Sequence, residues 1–213
     1  MWSSASRIES ARAAPSRTAP LLLLLLALAG CASTRGPAST TSASPAWETR
    51  RDALLALPAW QAEGRIAVNA GKEGGSGAFT WKQVDDALDF RFRGPVGVGG
   101  FRIDGDGERL HLKTTAGDER DLTDPERDLR ERYGWSVPLN SMRYWMLGVP
   151  DPADEAAETL DDANELILLQ QRGWTIEYGA YGTAAGTSLP RKVTMEGDGV
   201  RVRLIVERWE LGE

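Results

Sequence analysis

Short segments in which every second residue is apolar constrain the fold of this chain more than any other feature of its sequence. The segments ALDFRFR at residues 87–93 and VRVRLIVERW at residues 200–209 both follow this pattern. A period of two places the apolar side chains on one face of a strand, which is typical of a half-buried strand in an antiparallel sheet. Turn signals such as Gly197-Asp198-Gly199 separate neighbouring segments. We therefore expect about nine to eleven strands joined by short loops.

Three further segments have the apolar spacing and the boundary residues of helices. They are WETRRDALLALP at 47–58, DPERDLRERYGW at 124–135 and PLNSMRYWMLG at 138–148. Pro58 ends the first, an Asp-Pro pair opens the second and Gly148 ends the third, for which we expect an N-cap at Asn140 or Ser141. Strands that surround a pair of helices predict an α+β domain, a curved sheet or barrel with helices on one side.

Residues 1–30 have the features of a secretory signal peptide. Three arginines precede an apolar run that begins at Leu21. The run holds about 8 residues, whereas a membrane-spanning helix needs roughly 20. The phrase LAGC at 28–31 resembles the cleavage motif of bacterial lipoproteins, which makes Cys31 the expected site of lipid attachment. A buried or free cysteine is the alternative. Ala32 follows where aspartate would favour the inner membrane, so the resemblance implies the outer membrane.

The chain after the signal peptide divides into a tether and one domain. Residues 31–45 consist of the cysteine and a segment of small, polar and nearly uncharged residues. We interpret this segment as a flexible tether. Residues 46–213 are long enough for one domain with a core. Without the three arginines and one glutamate of residues 1–30, 22 basic and 30 acidic residues remain, a net charge of about −8. This balance argues against nucleic-acid binding and against a polybasic membrane patch.

The residue types that carry most enzyme chemistry are sparse in this sequence. His111 is the only histidine, and its neighbours Leu110 and Leu112 assign it to a polar strand face, where a structural role is expected. It supports no nucleophile–histidine–acid set. With one cysteine and one histidine, the chain offers no cluster of transition-metal ligands. The glycine-rich segment 94–100 does not have the spacing of a nucleotide-binding loop. We expect a protein that is not an enzyme and that uses no metal or cofactor.

The segment RFRGPVGVGGF at 91–101 places a small apolar residue among glycines in a turn. Pro95, Val96 and Gly97 form the tip of this predicted loop. An exposed apolar side chain lowers solubility and requires an explanation. Two interpretations follow: Val96 either folds back onto the sheet or enters an apolar medium outside the protein.

Several phrases in this sequence together resemble the family of the outer-membrane lipoprotein receptor LolB. They are Trp60, GRIAV at 64–68, FTWKQ at 79–83, GPVG at 94–97, VPLNSMRYWMLGVP at 137–150, GWTIEYGAY at 173–181, LPRKVTM at 189–195 and RLIVERW at 203–209. They follow the family's order over about 150 residues, nearly the whole predicted domain. The longest phrase, at 137–150, is the most specific.

The resemblance implies an open (incomplete) antiparallel β-barrel with helices covering an apolar cavity for acyl chains. Members of the family accept lipoproteins from the soluble periplasmic carrier LolA and insert them into the outer membrane, without a nucleotide. Direction then comes from differential affinity. In the family the loop that matches 94–97 protrudes and carries an apolar residue, typically leucine, that helps to deliver cargo. The matching residue here is Val96, which is one CH₂ smaller, worth roughly 0.8 kcal/mol of burial.

The resemblance and the strand alternation together name candidate residues for the cavity. They are Ile66, Val68, Phe79, Trp81, Leu88, Phe90 and Phe92 from strands, and Trp145 and Met146 from the covering helix. We expect a monomer anchored in the outer membrane of a Gram-negative bacterium and facing the periplasm. Two alternatives stay open: a lipid-anchored protein that binds another lipid or small hydrophobic ligand, and a structural lipoprotein whose core is filled.

Overall fold

In a computed structural model, which describes residues 44–97, 99–107 and 109–212, eleven strands form one antiparallel sheet. The strands are β1 (Ala59–Ala70), β2 (Glu73–Val84), β3 (Ala87–Arg93), β4 (Phe101–Gly105), β5 (Leu110–Thr114), β6 (Glu119–Leu122), β7 (Ala156–Leu160), β8 (Leu166–Gln171), β9 (Trp174–Ala184), β10 (Thr187–Gly197) and β11 (Val200–Leu211). The count agrees with the predicted range. The signal peptide, Cys31 and all but the last residues of the tether lie outside the described residues.

The order of strands in the sheet leaves two edges. It runs β6-β5-β4-β3-β2-β1-β11-β10-β9-β8-β7, so the first and last strands of the chain pair at the centre. Each of the other neighbours is consecutive in sequence and joined by a short loop. Within the described residues β6 and β7 do not pair with each other. The predicted α+β fold with an open antiparallel barrel is thereby confirmed.

Three helices accompany the sheet: α1 (Pro45–Leu55), α2 (Pro125–Tyr133) and α3 (Leu139–Leu147). The helices α2 and α3 make the long connection between the two edge strands. Gly148 ends α3 in the left-handed conformation, as its position predicts. The predicted N-cap of α3 is wrong, because Pro138 holds that position and the helix begins at Leu139. The side chains of Asn140 and Ser141 bond to Gly107 and Asp151 instead.

A bulge in β1 adds to the bending of the sheet at its centre. The register between β1 and β11 shifts between Glu63 and Gly64. A Cβ atom at Gly64 would lie 2.0 Å from the carbonyl oxygen of Ile205, so only glycine allows this approach. Bulges increase the local twist and bend of a strand. The bend helps the sheet to curve around its apolar face, which we call the inner face.

The buried apolar residues that the structure describes form one hydrophobic core. It comprises the inner face of the sheet, the buried side of α3 and two residues of α1, Trp47 and Leu54. The segment Ala43–Glu213 is a compact unit by itself. A chain that begins at Ala43 therefore keeps every described core contact, and we expect it to fold on its own. No helix among the described residues is both long enough and apolar enough to cross a membrane.

Candidate functional site

The inner face brings together all nine side chains that the sequence predicts to line a cavity. Seven of them are buried, and Val68 and Phe92 are partly buried and pack against the same cluster. The buried residues are Ile66, Phe79, Trp81, Leu88, Phe90, Trp145 and Met146. Alternation places the seven strand residues on the inner face, since every second residue of β1, β2 and β3 points inward. Trp145 and Met146 join the same cluster from α3. Contact of these side chains with a ligand stays a prediction.

Aromatic rings pack edge to face and in tilted pairs along this inner face. The ring of Trp81 lies 5.5 Å from Phe90 and 5.6 Å from Trp60, measured between centroids. Phe92 stacks on Phe101 at 5.2 Å. Trp60 and Phe101 were not among the predicted residues, although alternation in β4 assigns Phe101 to the same face. The result is a continuous apolar surface built from aromatic side chains.

Helix α3 covers this surface. Gln171 of β8 holds the helix in place through hydrogen bonds. The buried Gln171 side chain accepts hydrogen bonds from the indole nitrogen of Trp145 at 2.8 Å and from the backbone nitrogen of Asp151 at 2.9 Å. It donates to the carbonyl oxygens of Asp151 at 2.7 Å and Asp154 at 2.8 Å. One amide therefore uses both its donors and its acceptor to hold the helix and the segment after it.

Polar contacts at the outer side of α3 are more accessible to water. Arg143 Nη1 donates to Asp86 Oδ1 at 2.7 Å in the turn between β2 and β3. Burial alone would lower the pKa of Arg143, but the bonds to Asp86 and Tyr144 outweigh it and raise the pKa. Asn140 donates to the carbonyl oxygen of Gly107 at 3.2 Å. The Asp86 side chain is 75% exposed, and ion pairs in contact with water contribute roughly 0–1 kcal/mol, so we expect the Arg143–Asp86 pair to add little to the attachment of α3.

The loop between β3 and β4 presents Val96 to solvent. A tight turn over Pro95–Gly97 is closed by a hydrogen bond of 3.1 Å from the Gly97 nitrogen to the Gly94 oxygen. Val96 is 100% exposed, so it does not fold back onto the sheet. Its backbone is left-handed, with φ 49° and ψ 22°. That conformation is unfavourable for a β-branched residue.

The lone histidine has a partner on the neighbouring strand. His111 Nδ1 lies 2.9 Å from Asp121 Oδ1 of β6, on the solvent side of the sheet edge. The structural role expected for His111 stays a prediction.

The chain matches the family model described as "Outer membrane lipoprotein LolB" over residues 58–209. An outer-membrane lipoprotein LolB of Nitrosococcus oceani is 34% identical over 197 residues, which is 92% of this chain and 98% of the relative. The protein of the same name from Stutzerimonas stutzeri is 32% identical over 90% of this chain and 93% of its own length.

Two solved structures share the fold at low sequence identity. A LolA superfamily protein from Nitrosomonas europaea superposes with a TM-score of 0.51 and is 10% identical, covering 81% of this chain and 94% of its own. A putative outer membrane lipoprotein-sorting protein domain from Vibrio parahaemolyticus superposes with a TM-score of 0.51 and is 11% identical, covering 78% and 90%. At these identities the two structures establish the fold alone.

Proposed function

This chain belongs to the outer membrane lipoprotein LolB family, and we propose that it receives lipoproteins from a LolA-like carrier and inserts them into the outer membrane. The apolar inner face is the proposed site for the acyl chains of the cargo. Its side chains contact one another while α3 covers them, so entry requires α3 to move away from the sheet. Helix motion of this kind is consistent with the weak outer contacts of Arg143 and Asn140.

The observation that carries the proposal is the exposure of Val96. Burial of apolar area drives folding, yet this side chain is outside the core and in a strained conformation. Folding alone gives no reason to keep an apolar, β-branched residue there. Entry of the loop into the acyl region of a bilayer supplies one, because the side chain then loses its contact with water. Pro95 and Gly97 shape the turn that carries it.

The lipid anchor completes the proposed arrangement. A diacylglycerol thioether at Cys31 would hold the domain at the membrane it serves, with residues 32–45 as a tether. Transfer then needs no bound cofactor or nucleotide, because each step goes to the site of higher affinity for the acyl chains. The domain would act as a monomer on the periplasmic side of the outer membrane.

A transfer assay tests the proposal. A LolA carrier loaded with a labelled lipoprotein is mixed with the domain that begins at Ala43, and vesicles are added afterwards. We expect the wild type to take label from the carrier and pass it to vesicles. Val96→Glu should accept label normally but deliver it about tenfold more slowly, because a carboxylate resists entry into the apolar layer.

Val84→Glu is the matched control, since Val84 is a second exposed valine, at the end of β2, and pairs with the first residue of β3 far from the loop. We expect it to deliver label at the wild-type rate. If Val96→Glu delivers label at the wild-type rate, the receptor function stands, but the loop has no role in delivery. Label that never leaves the carrier would contradict the receptor function itself and favour a protein that binds another lipid or small hydrophobic ligand.

A further inference from the structure

A groove of about 530 Å³ lies on the outer face of the sheet, directly beside the exposed loop. The groove is lined by residues of β1, β2 and β11 and by residues 93–97. Small side chains make its floor: Ala67 of β1 lies opposite Ser76 of β2 in the register of the sheet. Pro95 and Val96 form one of its walls, so the groove and the loop share residues.

Three arginines line this groove, and no acidic residue does. They are Arg65 of β1, Arg93 at the end of β3 and Arg203 of β11. All three side chains are exposed, and none forms an ion pair within the described residues. Arg201, two positions before Arg203 on β11, is by contrast paired with Glu196 at 2.8 Å. The groove is therefore a local concentration of positive charge on a domain that is acidic as a whole.

The neighbouring arginines on β3 and β4 show how such charges are neutralised elsewhere on the sheet. Arg91 and Arg102 both donate to Asp89, at distances of 2.8–3.1 Å. Burial would raise the pKa of Asp89, but the hydrogen bonds from these two guanidinium groups outweigh it and hold the pKa below its ordinary value. Arg93 lies two residues beyond Arg91 on the same face and has no such partner.

We propose that this groove binds the phosphate of anionic phospholipids in the acceptor membrane and so orients the Val96 loop for delivery. The proposal rests on the function proposed above. Guanidinium groups bind phosphate oxygens through paired N–H donors, and three of them around a floor of small side chains leave room for a headgroup. Binding there places the lipid phosphate at the side of the turn, while Val96 points beyond it toward the acyl chains.

The position of the groove favours a lipid surface over an acidic protein partner. A protein that hands over cargo must reach the inner face, and the contact of α3 with Asp86 lies at the end of β3 opposite the loop. The seven residues of β3 separate the two ends by roughly 20 Å. The groove instead adjoins the side chain that folding leaves exposed, and a bilayer offers phosphate and hydrocarbon within a few ångströms of each other.

Vesicle flotation with the domain from Ala43 tests the proposal. Binding is compared on vesicles of phosphatidylcholine alone and on vesicles that also contain phosphatidylglycerol. Arg65→Gln/Arg203→Gln should lose about tenfold in affinity for the anionic vesicles and little for the neutral ones. The matched control, Lys82→Gln/Arg201→Gln, removes two positive charges from the same outer face outside the groove and should lose less than about twofold. Arg93→Gln is a third, single-site variant and should lose about threefold.

Three outcomes would overturn the proposal. Equal losses in the groove variant and its control would mean that only the overall charge matters. Unchanged binding in all variants would mean that the groove does not contact lipid. Slower transfer of label from the carrier to Arg65→Gln/Arg203→Gln, measured without vesicles, would assign the groove to a protein partner. If the wild type takes no label from the carrier, the proposed receptor function fails, while the flotation result still decides the groove.

Discussion

Helix α3 and the β3–β4 loop both carry apolar side chains, but those of α3 are buried in the core whereas Val96 of the loop is exposed. Six of the nine residues of α3 are buried, including Trp145 and Met146, which are fully enclosed. Val96 of the loop is fully exposed and has a left-handed backbone. The apolar residues of α3 are accounted for by the core that they complete. The exposed side chain of Val96 completes no core, and this is why we propose a role for the loop in delivery.

This contrast predicts that substitutions in the two regions separate stability from delivery. A change in α3 should lower the free energy of unfolding and also alter the uptake of cargo, because α3 covers the proposed acyl-chain site. A change at Val96 should leave the free energy of unfolding unchanged or higher while delivery changes. Four substitutions examine this separation.

Trp145→Ala should have the largest effect. The indole is fully buried, packs against Trp174 at 6.1 Å between ring centroids and bonds to Gln171. Truncation of a buried tryptophan costs about 3–5 kcal/mol of unfolding free energy. Urea denaturation followed by far-UV circular dichroism measures it, with Val96→Ala as the control at under about 0.5 kcal/mol. Similar losses in both variants would remove the distinction between the two regions.

Gln171→Leu should cost about 2 kcal/mol, although the two side chains have similar volumes. The change leaves the Trp145 indole N–H and the Asp151 amide N–H buried without an acceptor. Hydrogen exchange in α3 should accelerate as well, because the helix loses its attachment to β8. The control is Gln170→Leu, since Gln170 is the exposed neighbour on the same strand. A stable Gln171→Leu variant with unchanged exchange would show that packing alone holds the cover.

The role of Gln171 could not be predicted from the sequence. Alternation along the chain predicts the strands, the inner face and the seven candidate residues on strands, because each depends on neighbours within one segment. The two candidates on α3, Trp145 and Met146, came from the resemblance to the family. The contact of Trp145 with Gln171 joins residues from a helix and a strand 26 positions apart. Nothing in either segment indicates this pairing. The N-cap of α3 was mispredicted for the same reason, since the partner of Ser141 is a residue outside the helix.

The arginine groove was hidden from the sequence in a similar way. Arg65, Arg93 and Arg203 lie on three strands that meet only in the folded sheet, and the net charge of the domain points the opposite way. Alternation does place Arg203 on the polar face of β11. It does not indicate that β11 lies beside β1, since the first and last strands pair at the centre of the sheet. The strand order of the folded sheet therefore reveals the cluster of arginines, which the net charge of the domain does not indicate.

Val96→Gly should raise the free energy of unfolding by up to about 1 kcal/mol and slow delivery. Glycine adopts the left-handed conformation without the steric cost that valine has there, while its greater freedom in the unfolded chain offsets part of the gain. Urea denaturation and the transfer assay are run on the same preparation. The control is Gly99→Ala, which introduces a side chain at another left-handed position of the loop, with φ 68°, and should be destabilising. A Val96→Gly variant less stable than wild type would mean that Val96 supports the fold.

Val96→Leu should have the smallest effect, and it acts on delivery alone. The added CH₂ contributes roughly 0.8 kcal/mol when it enters an apolar layer, which corresponds to about a fourfold faster passage of label to vesicles. The free energy of unfolding should stay within about 0.5 kcal/mol of wild type, because the side chain is exposed in the folded protein. Val84→Leu adds the same group at Val84, which is also exposed, and should change neither quantity. If both leucine variants speed delivery alike, general surface hydrophobicity explains the gain and the loop has no special part in it. If only Val96→Leu does so, the tip of the β3–β4 loop is the point of contact with the bilayer, and its departure from the family's leucine limits the rate.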